Sequence, residues 1–396
     1  MMVAARDINV RGACPALAAP MQTGDGLLAR LNPVREGLSA NQLIGLCESA
    51  SRHGNGIIEI TSRGSLQIRG LTELSALVLA DDINRLDIDV RTGTTVTTSP
   101  LAGIDPDEAA DPRPLAQSIR DGIVRRSLNG KLAPKVSVIV DGGGAWGLDA
   151  LQADIRCKAD GDLWRITIGG KSRTLGRFEQ ARAAVIVLET LEAVAARGPM
   201  ARARDLSIGV LDAEECAEQR IPLGRLALKD REAVAVALPF GSAEAAVLAE
   251  FVRQAQELGV VEFRAAPPRA LVMLLEAPNT ERILKIAEEL GFVVDPHNPA
   301  MRIFACPGKP ACASGTFNTR ETARLIAREL PELFVDNAFS LHVSGCAKGC
   351  AHPSPAKVTL VGEGETVGIV VGGTARSLPQ AYAQPNALVD ALKGIG

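Results

Sequence analysis

The feature that most restricts the fold of this 396-residue chain is an order of predicted elements, β-α-β-β-α, that occurs twice about two hundred residues apart. The first copy begins with an apolar strand, and its first helix starts in a capping box formed by Ser39 and Gln42. Two strands and a second helix complete it. The residues that indicate these elements are 27–31, Leu43, Leu46, Cys47, Ala50, Ile57, Ile58, Ile60, Leu66, Ile68, Leu74 and Leu77.

The second copy has the same order. Its elements are a strand at 233–238, a helix through 247–258, strands at 260–263 and 270–275, and a helix at 280–290 that ends at Gly291. One offset of 203 relates Gly56 and Glu59 to Gly259 and Glu262, and also relates Gly169-Gly170 to Gly372-Gly373. Lys135-Val136-Ser137 also matches Lys357-Val358-Thr359 at another offset. The pattern indicates a gene duplication, with chance similarity between α/β segments as the alternative.

These patterns predict an α+β fold of the duplicated sulfite-reductase type, in which two ferredoxin-like half-units pair and two larger mixed α/β modules surround the active site. The expected boundaries are 20–90 and 228–296 for the ferredoxin-like units, and 91–227 and 297–396 for the mixed modules. A segment rich in Asp and Pro, 105–114, is expected to be a surface connection.

Composition excludes some function classes. The formal net charge of -3 and the pI near 6.0 provide no basic field for nucleic acid, although a local basic pocket for a small anion stays open. The sequence has neither a run of about 18 apolar residues nor an N-terminal secretory signal, so we expect no membrane span and a cytoplasmic location.

Four of the eight cysteines are scattered along the chain: Cys14, Cys47, Cys157 and Cys216. A chain without an export signal is expected in a reducing compartment, where thiols persist. Isolated cysteines there are usually small buried hydrophobic residues, and Cys47 fits this interpretation because it falls on the apolar face of a predicted helix.

The other four cysteines form two close pairs, Cys306 with Cys312 and Cys346 with Cys350. Prolines and a glycine in the first pair's C-x5-C spacing favour a loop. Four thiolates around one point can hold a [4Fe-4S] cluster. Structural zinc is the alternative, but its paired ligands are usually closer in sequence. Gly345 and Gly349 would let a bulky planar group approach.

With C-x5-C followed by S-G-C-A-K-G-C in a duplicated chain, the sequence resembles the hemoprotein family of sulfite and nitrite reductases. Other matching features are Thr61-Ser62-Arg63 with Gln67, and the stretch 99–103. The resemblance implies that Cys306, Cys312, Cys346 and Cys350 hold a [4Fe-4S] cluster. It further implies that Cys350 would bridge to a siroheme iron.

The cations that this family uses around its tetrapyrrole and oxyanion are only partly present. Arg63 and Lys135 match two of them, although Gly64 replaces a glutamine of the family motif. Thr94 and Ser137 stand where two more cations are expected. We therefore expect Arg63 and Lys135 to bind substrate carboxylates, with Arg69 as a further candidate.

The precorrin-3B synthase branch of this superfamily is the better match. The resemblance lies in residues 11–15, Pro20-Met21, 23–28 and the motif that ends at Pro353. It implies that precorrin-3A is the substrate, that oxygen from O2 is inserted at C20, and that a γ-lactone closes. It also implies a mononuclear non-heme iron. Because no G-x-G-x-x-G follows a clear strand, electrons are expected from an external NADH-linked reductase or ferredoxin.

The ligands of that second iron are not evident from the sequence. The chain has four histidines, His53, His297, His342 and His352, and none shows the spacing of two histidines and a carboxylate. His352, two residues after Cys350, is the candidate catalytic residue. Two other functions stay open: a sulfite or nitrite reductase with siroheme as its cofactor, and a non-catalytic scaffold that binds a cluster or zinc.

Overall fold

The computed structural model describes residues 15–35, 37–170, 173–211, 221–276, 278–335 and 339–393. These residues form four β-sheets and eight α-helices, which confirms the predicted α+β class. None of the described helices is long and apolar enough to cross a lipid bilayer.

The first half of the chain contains ten strands and four helices among its described residues. They are β1 Met21–Thr23, β2 Gly26–Leu31, α1 Ala40–His53, β3 Ile57–Ile60, β4 Leu66–Leu71, α2 Glu73–Arg85, β5 Thr95–Thr97, α3 Arg113–Arg125, β6 Ser137–Asp141, β7 Ile155–Asp160, β8 Leu163–Ile168, β9 Arg173–Phe178, α4 Gln180–Ala196 and β10 Val210–Leu211.

The second half contains the same kinds of element in a similar order. They are β11 Gly224–Ala227, β12 Glu232–Ala237, β13 Ser242–Glu244, α5 Ala245–Glu257, β14 Val260–Ala266, β15 Ala270–Leu275, α6 Thr280–Glu289, β16 Ile303–Ala305, α7 Thr319–Glu329, β17 Leu341–Ser344, β18 Ala356–Glu363, β19 Thr366–Gly373, β20 Ala381–Ala383 and α8 Leu388–Leu392.

The predicted start of α1 is confirmed by two hydrogen bonds. Gln42 N donates to Ser39 Oγ at 3.3 Å, and Ser39 N donates to Gln42 Oε1 at 3.0 Å. Both bonds of a capping box are therefore present, and they satisfy backbone donors that a helix N-terminus leaves without partners.

Two of the sheets have matching strand orders. Sheet A is β1-β2-β4-β3 with β13 at its edge, and sheet C is β11-β12-β15-β14. In sheet A, β2 leads to α1 and then to β3. In sheet C, β12 leads to α5 and then to β14, which has the same place in the strand order as β3. The repeated topology supports the predicted duplication.

The two halves exchange backbone hydrogen bonds reciprocally. The segment before α5 forms β13, and its Ala243 pairs with Ile58 of the first half. The segment before α1 returns the contact, because Leu38 and Phe263 donate to each other's carbonyl oxygens at 2.8 Å. A boundary at residue 228 would thus separate β13 from the sheet it belongs to. The four-unit division stays a proposal.

The other two sheets also correspond. Sheet B has the order β10-β9-β8-β7-β6-β5, and sheet D has β16-β17-β18-β19-β20. In chain order, the first three strands of each sheet are parallel, and the strands that follow pair antiparallel. Gly169-Gly170 follows β8 and Gly372-Gly373 ends β19, which are corresponding strands. This pair of glycine anchors is therefore equivalent in the fold.

One of the sequence matches is not equivalent. Lys135 precedes β6, whereas Lys357 lies within β18, whose counterpart in the first half is β7. The match between Lys135-Val136-Ser137 and Lys357-Val358-Thr359 was wrong as a sign of duplication. Short strand-like segments with the same alternation resemble each other wherever they occur.

A shared core holds the halves together. Leu46 and Cys47 of α1 and Phe251 and Val252 of α5 belong to one buried cluster that also includes residues of sheets A and C. By contrast, the two leucines that indicated α2 are 73% and 68% exposed, and the helix instead buries Ala76, Leu79 and Ile83. Cys157 is also fully buried, so the prediction for Cys47 and Cys157 is confirmed.

The predicted surface connection at 105–114 is only partly at the surface. Asp105 is 1% exposed, and its Oδ2 accepts from Ala145 N at 2.8 Å. The last two residues of the segment belong to α3. Because a carboxylate can satisfy buried backbone donors, an Asp-rich segment can fold inward where such donors are present.

The buried position of Phe251 leads to a stability prediction. Its ring lies 4.7 Å from that of Phe292, centroid to centroid, and the side chain is fully buried. Phe251→Ala should lower the free energy of unfolding by about 3–5 kcal/mol, because it leaves a cavity in the buried cluster that both halves share. The control Leu77→Ala, at an exposed position, should change it by less than about 0.5 kcal/mol. Urea unfolding followed by circular dichroism measures both, and equal effects would contradict the buried position of Phe251.

Candidate functional site

A cavity of about 920 Å³ lies where sheets A, B and C meet. Its wall includes residues of β2, β4, β5, β6 and β14. Seven cationic side chains line it, and Asp154 is the one carboxylate among the described lining residues. The cations are Arg30, Arg63, Arg91, Arg120, Lys135, Arg202 and Arg204. In a chain with a net charge of -3, this concentration of positive charge favours a polyanionic ligand.

The structure brings together two of the predicted substrate-binding residues. Arg63 lies in the turn between β3 and β4, where its Nη2 donates to Gln152 O at 2.7 Å. Gly64 follows with a φ of +77°, and a Cβ at this position would lie 2.9 Å from the backbone of Pro267. A glutamine at this position would be strained, which accounts for the glycine. Lys135 is exposed on the cavity wall just before β6.

The carboxylate of Asp154 organises one side of the cavity. Arg202 donates to both of its oxygens, at 2.8 and 2.7 Å, and Ser137 N donates to Oδ2 at 3.2 Å. Because Asp154 is 4% exposed, this pairing is shielded from solvent. It fixes the start of β6, and with it the position of Ser137.

Ser137 and Thr94, the uncharged residues at two positions where cations were expected, also line the cavity. Ser137 is 5% exposed, and within the described part of the chain its hydroxyl has no hydrogen-bond partner. Thr94 is held by a bond from its backbone N to Asn129 Oδ1 at 3.2 Å. A buried hydroxyl without a partner costs free energy, so the site is suited to a ligand that bonds to it.

The cysteine pairs lie at one edge of sheet D. Cys306 directly follows β16, and Cys346 comes shortly after β17. Since β16 and β17 are parallel neighbours, their carboxyl ends meet at the same edge. The loops are bonded to each other: Gly345 N donates to Cys306 Sγ at 3.1 Å, and Thr316 N donates to Gly345 O at 3.0 Å.

Glycines let these loops pack closely on one another. Gly345 and Gly308 both pack on Gly315, since a Cβ added at Gly345 or at Gly315 would lie 3.0 Å from the neighbouring Cα. A Cβ at Gly24, in the turn between β1 and β2, would lie 2.4 Å from Cys312 Sγ. Four free thiols on loops that pack together are a donor set that fits a [4Fe-4S] cluster.

The thiols influence one another. Burial raises the pKa of Cys350, and the neighbouring Cys306 and Cys346 raise it further. Burial likewise raises the pKa of Cys306. Thiols in this environment release protons when a metal group binds. In the part of the chain that the structure describes, no three His, Cys, Asp or Glu side chains converge on a single-ion site. The assignment of the four cysteines as cluster ligands stays a prediction.

His352 does not line the cavity among the described residues. Its ring stacks on Phe304 at 4.2 Å and meets the ring of His342 edge-on at 5.8 Å, centroid to centroid. His342 is fully buried, and neither ring nitrogen has a partner within the described residues. Burial lowers the pKa of His342 to about 4. The catalytic role of His352 stays a prediction that its placement does not favour.

The other two histidines lie apart from this pair. His53 Nε2 lies 2.9 Å from Asp82 Oδ2 on the helical side of sheet A, and His297 lies in the connection between α6 and β16. The described residues thus provide no ligand set of two histidines and a carboxylate for a mononuclear iron.

Arg69 is placed differently from the prediction that it binds substrate. It is absent from the described cavity wall, and its guanidinium donates to both oxygens of Asp25 at 2.8 Å. The role of Arg69 in substrate binding stays a prediction that this placement does not favour.

Five cavity cations were missed by the sequence analysis: Arg30, Arg91, Arg120, Arg202 and Arg204. They come from separate segments between β2 and the end of the first half, so no local motif unites them. Arg30 carries the one usable signal, because it is a charged residue inside the apolar strand β2. Cys14, Cys216 and most of the 11–15 motif lie outside the described residues.

The chain is similar in sequence to several known proteins. Residues 19–85 match the model of the nitrite/sulfite reductase ferredoxin-like half domain. A protein of Sinorhizobium sp. named precorrin-3B synthase is 41% identical, over 98% of this chain and 88% of that protein. The ferredoxin–nitrite reductase of Synechococcus elongatus is 24% identical, over 85% of this chain and 76% of that protein.

The fold has also been observed in a solved structure. The NirA protein of Mycobacterium tuberculosis superposes with a TM-score of 0.67 over 92% of this chain and 79% of that chain, at 17% sequence identity. At this identity the similarity shows the fold alone.

The different environments of the cysteines lead to a prediction for thiol alkylation. Burial raises the pKa of Cys47 and of Cys157 to about 12, so both should resist iodoacetamide at pH 8 in the folded protein. In iron-free folded protein, Cys312 and Cys350 should react faster than either. In iron-containing protein, all four paired cysteines should be protected. Peptide mass mapping measures each site, and rapid labelling of Cys350 in iron-containing protein would contradict its role as a ligand.

Proposed function

The chain belongs to the precorrin-3B synthase family, within the nitrite and sulfite reductase superfamily, and is an oxidoreductase; on this premise we propose that it inserts oxygen from O2 into precorrin-3A. The proposed product carries a hydroxyl at C20 and a γ-lactone closed from a ring acetate. One oxygen atom of O2 enters the product and the other leaves as water, with two electrons and two protons from outside.

The observation that carries this proposal is the charge of the cavity. Seven cations surround a volume of about 920 Å³ and face a single described carboxylate, Asp154, which Arg202 already neutralises. A reduced tetrapyrrole with several acetate and propionate side chains is a ligand of matching size and opposite charge. Its carboxylates would bind at the rim, and the ring would lie inside.

Arg63 and Lys135 would hold carboxylates on two sides of this ligand. Arg63 comes from the β3–β4 turn of sheet A, and Lys135 comes from the start of β6 in sheet B. Contacts from two sheets fix the orientation of a planar ligand better than contacts from one. Arg30, on β2, is a third such contact, because Gln67 Oε1 accepts from its Nε at 2.9 Å and aligns it.

The uncharged positions suit a neutral co-substrate. Ser137 and Thr94 stand where the resemblance leads us to expect cations that grip an oxyanion. O2 carries no charge, so a hydroxyl can bond to an oxygen-containing group without the cost of desolvating a lysine. The cluster held by the four cysteines would supply electrons one at a time from an external donor.

Siroheme-dependent reduction of sulfite or nitrite is the second candidate. A relative 24% identical to this chain is named ferredoxin–nitrite reductase, and the four cysteines resemble the ligand set of that family. In this case a tetrapyrrole would be a permanent cofactor. The visible spectrum of anaerobically purified protein separates the two candidates, since intense porphyrinoid bands would favour the reductase.

The proposed reaction predicts an isotope label. When the protein is incubated with precorrin-3A, a reducing system and oxygen-18 gas, the hydroxylated product should be heavier by one oxygen-18 atom. Mass spectrometry measures this directly. Label in water alone, or a product without label, would contradict the proposed oxygen insertion.

The proposed carboxylate contacts predict a loss of binding. Arg63→Gln and Lys135→Gln should each weaken binding of uroporphyrin, a stable polycarboxylate tetrapyrrole, by about tenfold or more, because each removes a charge-assisted hydrogen bond. The control Arg85→Gln alters an exposed arginine that pairs with Asp82 on α2. It should leave binding unchanged. Fluorescence quenching measures all three dissociation constants, and equal affinities would contradict the assigned pocket.

A further inference from the structure

The turn between β1 and β2 comes from the first half of the chain but contacts the cysteine loops of the second. Ala313 N donates to Gly24 O at 2.9 Å, directly after Cys312. Gly24 packs so closely on Cys312 Sγ that any side chain at position 24 would collide with it. The turn, defined here as 23–26, therefore covers one of the four cysteines.

The next residue of the turn carries a buried carboxylate. Asp25 has a side chain only 2% exposed, and Thr23 Oγ1 donates to its Oδ1 at 2.6 Å. Burial on its own would raise the pKa of Asp25, but the bonds and charge of Arg69 outweigh burial and hold that pKa below its ordinary value. Asp25 is thus ionised when the protein is folded.

Asp25 holds Arg69 in a fixed place. The guanidinium of Arg69, on β4, donates from Nε and Nη2 to the two carboxylate oxygens, and Nη1 lies 3.5 Å from Glu59 Oε2. A bidentate pair of this kind restricts both the position and the orientation of the cation. Because Asp25 directly follows Gly24, which packs on Cys312 Sγ, this pair holds the cation beside the cysteine loops.

A second set of contacts connects Arg69, through Glu59, to the module that carries the cysteines. Glu59 Oε1 accepts from Arg320 Nη2 at 2.6 Å. Arg320 follows Thr319, whose hydroxyl donates to Cys306 O at 2.6 Å. Glu59 therefore connects Arg69 to the start of α7 and to the loop that carries Cys306.

We propose that Arg69 is a positioning residue that sets the reduction potential of the cluster through its fixed positive charge beside the cysteine loops. The inference rests on the proposed cluster and goes beyond the proposed reaction. Reduction adds one negative charge to a cluster, and a nearby cation in a shielded environment stabilises the more negative form. Arg69 would make the cluster easier to reduce, and Asp25 would moderate that effect.

The test is a redox titration of the anaerobic iron-containing protein, followed by electron paramagnetic resonance, with iron and acid-labile sulfide measured in each variant. Arg69→Gln should lower the ratio of reduced to oxidised cluster about tenfold at fixed ambient potential, or about 59 mV for a one-electron couple. Arg69→Lys keeps the charge and should restore most of the ratio. Asp25→Asn removes a negative charge and should shift the ratio in the opposite direction.

The control is Arg156→Gln, which alters a buried arginine of β7 that donates to Leu148 O and Leu151 O. It should leave the potential unchanged. A fully loaded Arg69→Gln variant with the wild-type potential would overturn the inference, and so would shifts of one sign in both Arg69→Gln and Asp25→Asn. If the Arg69→Gln variant fails to retain the cluster, the Asp25→Asn variant decides the test. An unchanged reduction potential in Asp25→Asn then overturns the inference.

The result also separates this inference from the proposed function. Wild-type protein that contains no iron or sulfide would overturn the proposed cluster, and the role of Arg69 with it. Shifts of opposite sign in a protein that incorporates no oxygen-18 would support the role of Arg69 and overturn the reaction alone.

Discussion

The reciprocal backbone pairing of the two halves is the interaction on which the rest of the structure depends. Leu38 bonds to Phe263 of sheet C, and β13 extends sheet A at Ile58, so each half supplies an edge to the other. This exchange holds α1 and α5 in one core. Residues of sheets A, B and C line the cavity, and the β1–β2 turn of the first half packs on the cysteine loops of the second.

Local signals predicted most of the elements. The capping box of α1, the glycine that ends α6 and the loop character of both cysteine pairs follow from chemistry within a few residues, so they can be inferred from the sequence. The repeat order predicted the matching sheets, because duplicated sequence retains its hydrophobic pattern. Exposed Leu74 and Leu77 show the limit: apolar residues indicated a helix correctly but not which face it buries.

Long-range partners could not be predicted in this way. Arg69 and Asp25 are 44 residues apart, and nothing in either local sequence indicates that they pair. The cavity cations come from segments that only the tertiary fold brings together. Sequence motifs therefore indicate Arg63 and Lys135 as substrate-binding residues but not Arg91 or Arg120. Charge that accumulates in a cavity is a property of the fold, since a net charge of -3 gives no sign of it.

We assign one ligand, a tetrapyrrole, to the cavity, as a substrate rather than a permanent cofactor. The most direct measurement is a crystal structure of anaerobic protein soaked with precorrin-3A. We expect a metal-free ring in the cavity of sheets A, B and C, with carboxylates on Arg63 and Lys135 and a separate four-iron cluster at the cysteines. An iron-centred tetrapyrrole bridged to Cys350, or a ring bound elsewhere, would contradict it.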